Sequence, residues 1–306
     1  MADSKLTELT EITAPISTDI TYLVSDPGGS PAEKKLALSH VIGYAVCNGR
    51  LTLETGVPIS TSDQTAKTTV YFTPYKGNLI GLYNGSSAWT MLSFSELSLS
   101  LADYTADKNY DIWVYNNSGT AALDSTIWTD DATRATALAL QDGIYVKTGA
   151  TTRRYVGTIR ITATTGQCED SDANRFVWNY YNRVSRRNFK TDATAHDYTT
   201  NAWRYWNNTD THNLKFVVGV AEEVSATHIT AYHDGLGIIG LDDDAATGGD
   251  LSIGYVFVTA ASGSAFSVGG GGSKIFAAGY HYLAIMEYGG SNCSFDNYQA
   301  HRISNF

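Results

Sequence analysis

The residues most able to do chemistry are carboxylates, histidines and aromatics near the C-terminal half. Asp242, Asp243 and Asp244 stand in a row with Asp250 close behind. Hard cations such as calcium take several oxygen ligands, and three carboxylates plus loop carbonyls could supply them. The run lacks the alternating spacing of an EF-hand loop, so a solvated turn accounts for it equally well. Glycan cleavage needs two carboxylates about 5–10 Å apart. Glu222, Glu223, Asp170 and Asp172 qualify by residue type. Neighbours on a strand point to opposite faces, however, so Glu222 and Glu223 would diverge. His228 and His233 lie five apart and diverge on a strand for the same reason, which argues against a shared metal. His196-Asp197 and His281 have no evident nucleophile beside them, and no G-x-S-x-G elbow occurs. The four glycines at 269–272 lack the following Lys-Ser/Thr of a phosphate loop and read as a flexible loop between strands. No cofactor is indicated, and the chain reads as a non-enzyme.

Binding is better represented than catalysis. Trp203, Tyr205 and Trp206 sit among Asn and Thr in TTNAWRYWNNTDTHN. Flat rings flanked by amides suit a sugar, with stacking below and hydrogen bonds at the edge. A packed aromatic corner or a subunit contact would have the same composition.

These residues must be positioned by strands. The chain has 306 residues, with 20 Tyr, 10 Phe and 6 Trp against 3 Met and 5 Pro. Aromatic and β-branched side chains suit a pleated, half-buried surface. At roughly 100–200 residues per domain the length allows two domains. The net charge of −10 disfavours a nucleic-acid partner, which needs Lys and Arg to displace counterions from phosphate. Arg153-Arg154 and Arg183, Arg186 and Arg187 cluster locally, and pairing with the excess carboxylates explains them without phosphate. Cys47, Cys168 and Cys293 are odd in number, far apart and without CxxC spacing, which predicts free buried thiols. The opening MADSKLTELTEI has no apolar run, and no stretch approaches the ~18 apolar residues of a membrane span. Synthesis in the cytoplasm and no membrane partner are expected.

Residues 1–45 read as a short separate element. Leu6 and Leu9 share one side of a turn. Residues 21–24, with Leu23 and Val24, form a short strand. A Pro/Gly turn follows at 26–31, then a second strand at 34–38 with Leu36 and Leu38. So few large apolar side chains cannot hold a core alone, and the segment must dock on something larger. Residues 46–165 read as a first β-sandwich. Strands are expected at 69–73, 79–83, 88–92, 110–115, 143–147 and 155–161. A tight Asn84-Gly85 hairpin and a short helix at 132–140 complete it. Residues 166–210 read as a connector, in which 175–183 is too aromatic for a solvated loop and fits either a strand or one short helix. The rest, to residue 306, reads as a second β-sandwich. Its strands are expected at 214–220, 227–233, 236–241, 253–259 and 279–287. The expected class is all-β, an anchor followed by two jelly-roll-like sandwiches.

Two stretches carry a resemblance. SKLTELTEITAPISTDITYLVSDPGGSPAEKKLALSHVI resembles the N-terminal anchoring segment of tailed-phage fibre and head-decoration proteins. It has a Leu-rich start, a short strand ending in valine, a Gly/Pro turn and a Lys-Lys-Leu strand. NGRLTL at 48–53, YFTPYKGN at 71–78, YDIWVY at 110–115, RRYVGT at 153–158 and RFVWNYYNR at 175–183 resemble motifs of an uncharacterised family of phage virion structural proteins. YHYL at 280–283 also fits it, and the similarity spans roughly two-thirds of the chain. The resemblance implies a virion component: a tail or head fibre or a capsid decoration protein. Other virion proteins would be its partners, and by analogy with phage fibres it would be a homo-oligomer, with a trimer favoured. Leu6, Leu9, Leu23, Val24, Leu36 and Leu38 would serve attachment. A host surface glycan is the alternative partner, and a polysaccharide depolymerase the enzymatic alternative.

Overall fold

The computed structural model describes residues 20–25, 32–37, 45–243, 255–290 and 293–305. The chain is all-β, with only single 3-10 turns among the described residues. Strands Ile20–Ser25 and Ala32–Ala37 form a two-stranded antiparallel hairpin in which Leu23 pairs with Lys34 and Leu36 with Thr21. Among the described strands they pair only with each other. Leu6, Leu9 and Leu38 lie outside the described residues.

The centre is a six-stranded sheet built on Asn109–Asn117 and Ala150–Arg160. Its sequence pattern explains its place. Tyr110, Ile112 and Val114 join one apolar cluster, while Trp113 joins a second. A period of two thus feeds two cores from one strand, one on each face. The first core takes the three-stranded sheet Gly49–Thr52, Thr69–Pro74 and Leu97–Ser100 and the hairpin Leu79–Tyr83/Trp89–Ser93. The second takes Leu214–Val218, Glu222–Asp243 and Gly279–Tyr288, members of an eleven-stranded sheet. Ala150–Arg160 shifts register between Tyr155 and Gly157, so Tyr155 and Thr158 share a face and their hydroxyls bond at 2.6 Å. Gly219 permits the close approach of the second core, because a Cβ there would lie 2.2 Å from the Tyr155 hydroxyl.

Residues 166–210 are woven into both sheets. Val177–Asn179 pairs with Ala150–Arg160, and Cys168–Asp170 pairs with Gln64–Lys67. Within residues 175–183 no helix forms and the strand is short, Val177–Asn179 after Asn174–Arg175, with 180–183 leaving the ladder; Phe176 and Val177 enter the first core and Trp178 the second. The Asn179 amide accepts from Leu51 N at 2.6 Å and donates to Leu51 O at 3.2 Å, continuing a strand-like pairing with a side chain.

Three local expectations are corrected. No helix forms at 132–140. The Asp130 carboxylate takes the Ala132 and Thr133 N–H groups in a turn, and Leu138–Gln141 pairs with Ile144–Lys147 through Asp142 and Gly143 at positive φ. The expected hairpin at Asn84-Gly85 forms between Leu79–Tyr83 and Trp89–Ser93, but its turn is wider than a tight Asn-Gly turn. Its loop spans residues 84–88 and is closed by Asn84 Oδ1, which accepts from the N–H of Ser86, Ser87 and Ala88. The glycines at 269–272 are strand, not loop. They belong to Tyr255–Phe276 and pair with residues 226–229 of Glu222–Asp243. A Cβ on Gly271 would meet the Ala226 carbonyl at 2.6 Å, so absence of a side chain lets the strands approach. Glu222–Asp243 also merges two expected strands, with a register shift between His233 and Gly235 marking their junction.

All three cysteines are buried and free. Burial pushes the Cys47 thiol up to about 11. The arginine clusters meet carboxylates, as their charge balance suggested. Arg153 pairs with Asp124 at 2.5 Å, Arg187 with Asp172 at 2.6 Å, Arg186 with Asp170 at 3.5 Å, and Arg183 with Glu222. Arg154 differs, being fully buried and donating to the Val46 and Gly81 carbonyls.

Asp111 is a deeply buried charge, 1% exposed, and takes two hydrogen bonds from Arg134 at 2.7 and 3.1 Å. Burial raises its pKa against the pull of the Arg134 charge. Removing one partner of a buried pair leaves the other uncompensated. Arg134→Met is expected to lower unfolding stability by about 3–5 kcal/mol in urea titrations. Adding Asp111→Leu should restore most of the loss. A double variant as unstable as the single would mean that the stranded carboxylate is not the cause.

Candidate functional site

The aromatic strand expected to face a sugar exists, but only part of it faces outward. Trp203–Tyr205 pairs with Gly279–Tyr288, so Trp203 opposes Tyr288, Arg204 opposes Glu287 and Tyr205 opposes Met286. Alternation puts Trp203 and Tyr205 on one side and Arg204 on the other. The Trp203 and Tyr288 rings meet edge-on at 5.4 Å, and both residues are half-buried. Trp206 is a correction. It opens the 3-10 turn Trp206–Asn208, is 0% exposed and packs in the second core against Phe295. Its indole N–H donates to Asp192 Oδ2 at 3.0 Å, so neither its face nor its edge is open to a ligand.

Behind this strand lies a charged cluster that no local motif signals. Glu287 is fully buried and both its oxygens are engaged. Oε2 meets His196 Nε2 at 2.6 Å, and Oε1 accepts from Arg204 Nε at 2.5 Å. His196 Nδ1 faces the Thr194 carbonyl at 3.1 Å. Both ring nitrogens therefore point at acceptors, an arrangement suited to the imidazolium. Burial opposes that charge, but the Glu287 and Thr194 hydrogen bonds outweigh it and raise the His196 pKa. The ring is packed edge-on against Trp206 at 4.9 Å. Arg204 stacks on Tyr198 at 3.7 Å. Beside them, burial pushes Asp192 up, while bonds from Thr194 and Trp206 and the nearby His212 hold its carboxyl below the usual range. The His212 pKa is lowered, chiefly by burial, although Asp192 lies 3.5 Å away.

Chemically this cluster is closed. A general acid or base needs a lone pair or proton aimed at a substrate. Here the buried carboxylate is bracketed by two cationic side chains, and its partners come from residues 91 and 83 positions away. It fastens the segment 192–206 to the eleven-stranded sheet.

The other expected residues are dispersed. Glu222 pairs with Arg183, while Glu223 accepts from Ser273 at 2.6 Å. Asp170 and Asp172 flank Arg175 at 3.0 and 2.8 Å. No pair of these stands free as an acid and a base. Asp242 and Asp243 end the strand Glu222–Asp243, paired with Ala284 and Leu283, rather than opening a turn. Asp244 and Asp250 lie outside the described residues. Among the described residues no group of three or more His, Cys, Asp or Glu gathers as a metal site. His281 Nε2 faces the Ala277 carbonyl at 2.9 Å, to which it can only donate, and the ring meets Phe276 edge-on. His228 faces inward with Val224 and Ala226 on the alternating face of its strand and is 1% exposed.

No protein-family model matches the sequence, and no curated protein matches it. Among solved structures the chain is similar to one of infectious bursal disease virus, Gx strain, at 9% identity. That match covers 82% of this chain and 73% of the other, with a TM-score of 0.28. It is also similar to a glycoside hydrolase family 43 arabinoxylan arabinofuranohydrolase from Bacillus subtilis, at 12% identity. There the match covers 90% and 72% of the two chains, with a TM-score of 0.23. A Bacillus thuringiensis Cry1Da tryptic core variant matches at 8% identity over 92% and 58%, with a TM-score of 0.20. Likenesses this slight establish neither a shared topology nor a shared role.

Burial of His228 predicts that the strands it packs among lose stability in acid. Neither ring nitrogen has a hydrogen-bond partner among the described residues, and burial lowers its pKa from 6.5 to about 4. The unfolded chain thus takes up this proton first as pH falls. The neutral ring's contribution is intact above about pH 6.5 and is lost as pH drops toward 4, on the order of 3 kcal/mol. Urea unfolding at pH 7.5 and 4.5 should show a smaller acid loss in His228→Leu than in the native chain. Equal losses would assign the sensitivity to other groups.

Proposed function

We propose that this chain is a structural component of a tailed-phage virion, a surface fibre or capsid-decoration protein that attaches through its N-terminal segment and self-assembles, as a trimer. It works by binding and display rather than by turnover. The observation that carries the reading is the N-terminal hairpin. Ile20–Ser25 and Ala32–Ala37 pair with each other and with no other described strand. An isolated two-stranded hairpin is marginal in water, so it calls for a surface to pack on. A larger body, such as a capsid or tail platform, supplies one. Two further features support the reading. The candidate carboxylates are engaged in internal ion pairs and hydrogen bonds rather than presented to a substrate. The low charged fraction of 17% leaves a surface rich in Ser, Thr, Asn and Tyr, which suits close contact with neighbouring subunits.

The full-length chain carrying Leu23→Asp and Leu36→Asp tests the attachment. The native chain should copurify with virions through a density gradient. The double variant should keep the native melting midpoint yet be missing from the particles. Equal incorporation of both, or a native chain that never enters particles, overturns the proposal. Sedimentation equilibrium of the free chain should give three times its 33.1 kDa mass; a monomer at micromolar concentration removes the trimer.

A further inference from the structure

The first β-sheet assembly carries a surface cleft that neither the attachment reading nor the charged cluster involves. It has a volume of about 390 Å³ and opens where three strand ends meet. Tyr83 ends one hairpin strand and Asn84 opens its loop, Tyr115 and Asn116 lie near the end of the central strand, and Thr152 and Arg153 lie near the start of Ala150–Arg160. Both tyrosines are half-buried and both asparagines exposed.

The amides are fixed in advance. Asn84 Oδ1 is engaged by three backbone N–H groups of its own loop. Asn116 Oδ1 accepts from Gly119 N at 2.6 Å. These bonds define which end of each amide is which, and they leave the two NH2 groups as donors. No described residue takes up either NH2. Arg153 is held too. Its Nε donates to Asp124 at 2.5 Å, and its guanidinium lies over the Tyr115 ring at 5.0 Å. The terminal nitrogens of that guanidinium have no partner among the described residues. The cleft therefore presents donors and ring surface but no free carboxylate.

We propose that this cleft binds an acidic saccharide, one whose sugar ring lies against Tyr83 or Tyr115 and whose carboxylate receives Arg153 and the asparagine amides. Stacking needs an aromatic ring, and a carboxylate needs a fork of donors, which guanidinium supplies in a plane. A neutral sugar would satisfy the rings but leave the donor excess half used. Preformed donors bind without the entropy loss of ordering them. The net charge of −10 does not forbid an anionic ligand, because at physiological salt distant charges are screened over about 8 Å and the cleft's own groups decide. The inference is independent of virion attachment: the cleft would bind sugar on a free chain as well.

The test uses the full chain with trigalacturonate, trimannuronate and sialyllactose as acidic probes and maltotriose as a neutral control. Saturation-transfer NMR and calorimetry should detect at least one acidic probe and bind maltotriose at least tenfold more weakly. Arg153→Gln should weaken the acidic probe tenfold or more, and Tyr83→Ala should do the same, both with native melting midpoints. If Arg153→Gln melts early, Tyr83→Ala alone decides. Trp203→Ala should leave binding unchanged, because Trp203 belongs to the other aromatic face. Silence from all acidic probes, or equal binding of maltotriose, overturns the proposal. So does affinity that falls with Trp203→Ala and not with the cleft variants.

Discussion

Guanidinium groups hold the sheets of this chain to one another. Arg154 donates to the Val46 and Gly81 carbonyls, 108 and 73 positions away. Arg50 reaches the carbonyls of Pro58 and Asn182, and Arg134 joins Asp111 to the Gly219 carbonyl. Arg160 binds Asn109 and Asp131 and stacks on Tyr280 at 3.7 Å. Arg154, Arg50 and Arg134 reach backbone carbonyls of segments outside their own strand ladders, while Arg160 reinforces its ladder partner Asn109 and takes in Asp131. Arginine suits this task because its planar head offers five donors at fixed angles and is less strongly hydrated than an ammonium. Burial still works against the charge: it lowers the Arg50 pKa to about 10. The architecture follows from that balance. Segments packed against a central sheet lose solvent at carbonyls that no ladder pairs, such as those of Gly81 and Gly219, and the long arginine side chains reach them.

Much of the strand content was legible because it obeys local rules. Residues 69–73, 79–83, 110–115 and 155–161 alternate or concentrate aromatic and β-branched side chains, and all are strands. What was not legible depends on partners far along the chain. The ATRATALAL segment has helical composition, yet Arg134 is drawn to Asp111 and the Trp128 ring, and its end pairs as a hairpin. Tertiary bonding overrides propensity there. By composition the four glycines at 269–272 read as a flexible loop. In the sheet it is where two long strands come close, and only the partner strand reveals that. The segment 166–210 looked like a connector because its strands are two to eight residues long and take register from other elements.

The candidate sites show the same limit more sharply. Composition around Trp203 and Tyr205 located an aromatic face, but adjacency could not say that Trp206, one residue on, turns into the core. The Glu287–His196–Arg204 cluster joins residues more than eighty positions apart, which no spacing rule on one chain can assemble. The cleft is subtler still. Its tyrosines come from different strands, and the free ends of its amides are defined only by loop bonds at 84–88 and 116–119.

Taken together, the two proposals constrain each other physically. A shallow cleft with a handful of donors and two rings cannot bind one saccharide tightly, since small ligands gain little beyond the cost of their immobilisation. Fixing many copies on one particle changes that arithmetic. When one site is occupied, the next meets its ligand at a high effective concentration, and avidity can exceed a single-site affinity by about 10²–10⁴-fold. Weak sites are then an advantage, because a particle can release and rebind as it moves over a surface. The rigid framework matters for the same reason. Sheets fastened by buried arginines would keep the cleft in one shape, so each copy would bind without an ordering penalty that multiplies with copy number. The N-terminal hairpin, which pairs with no other described strand and through which the chain would be held to the particle, is what would turn a weak, preformed cleft into a strong contact.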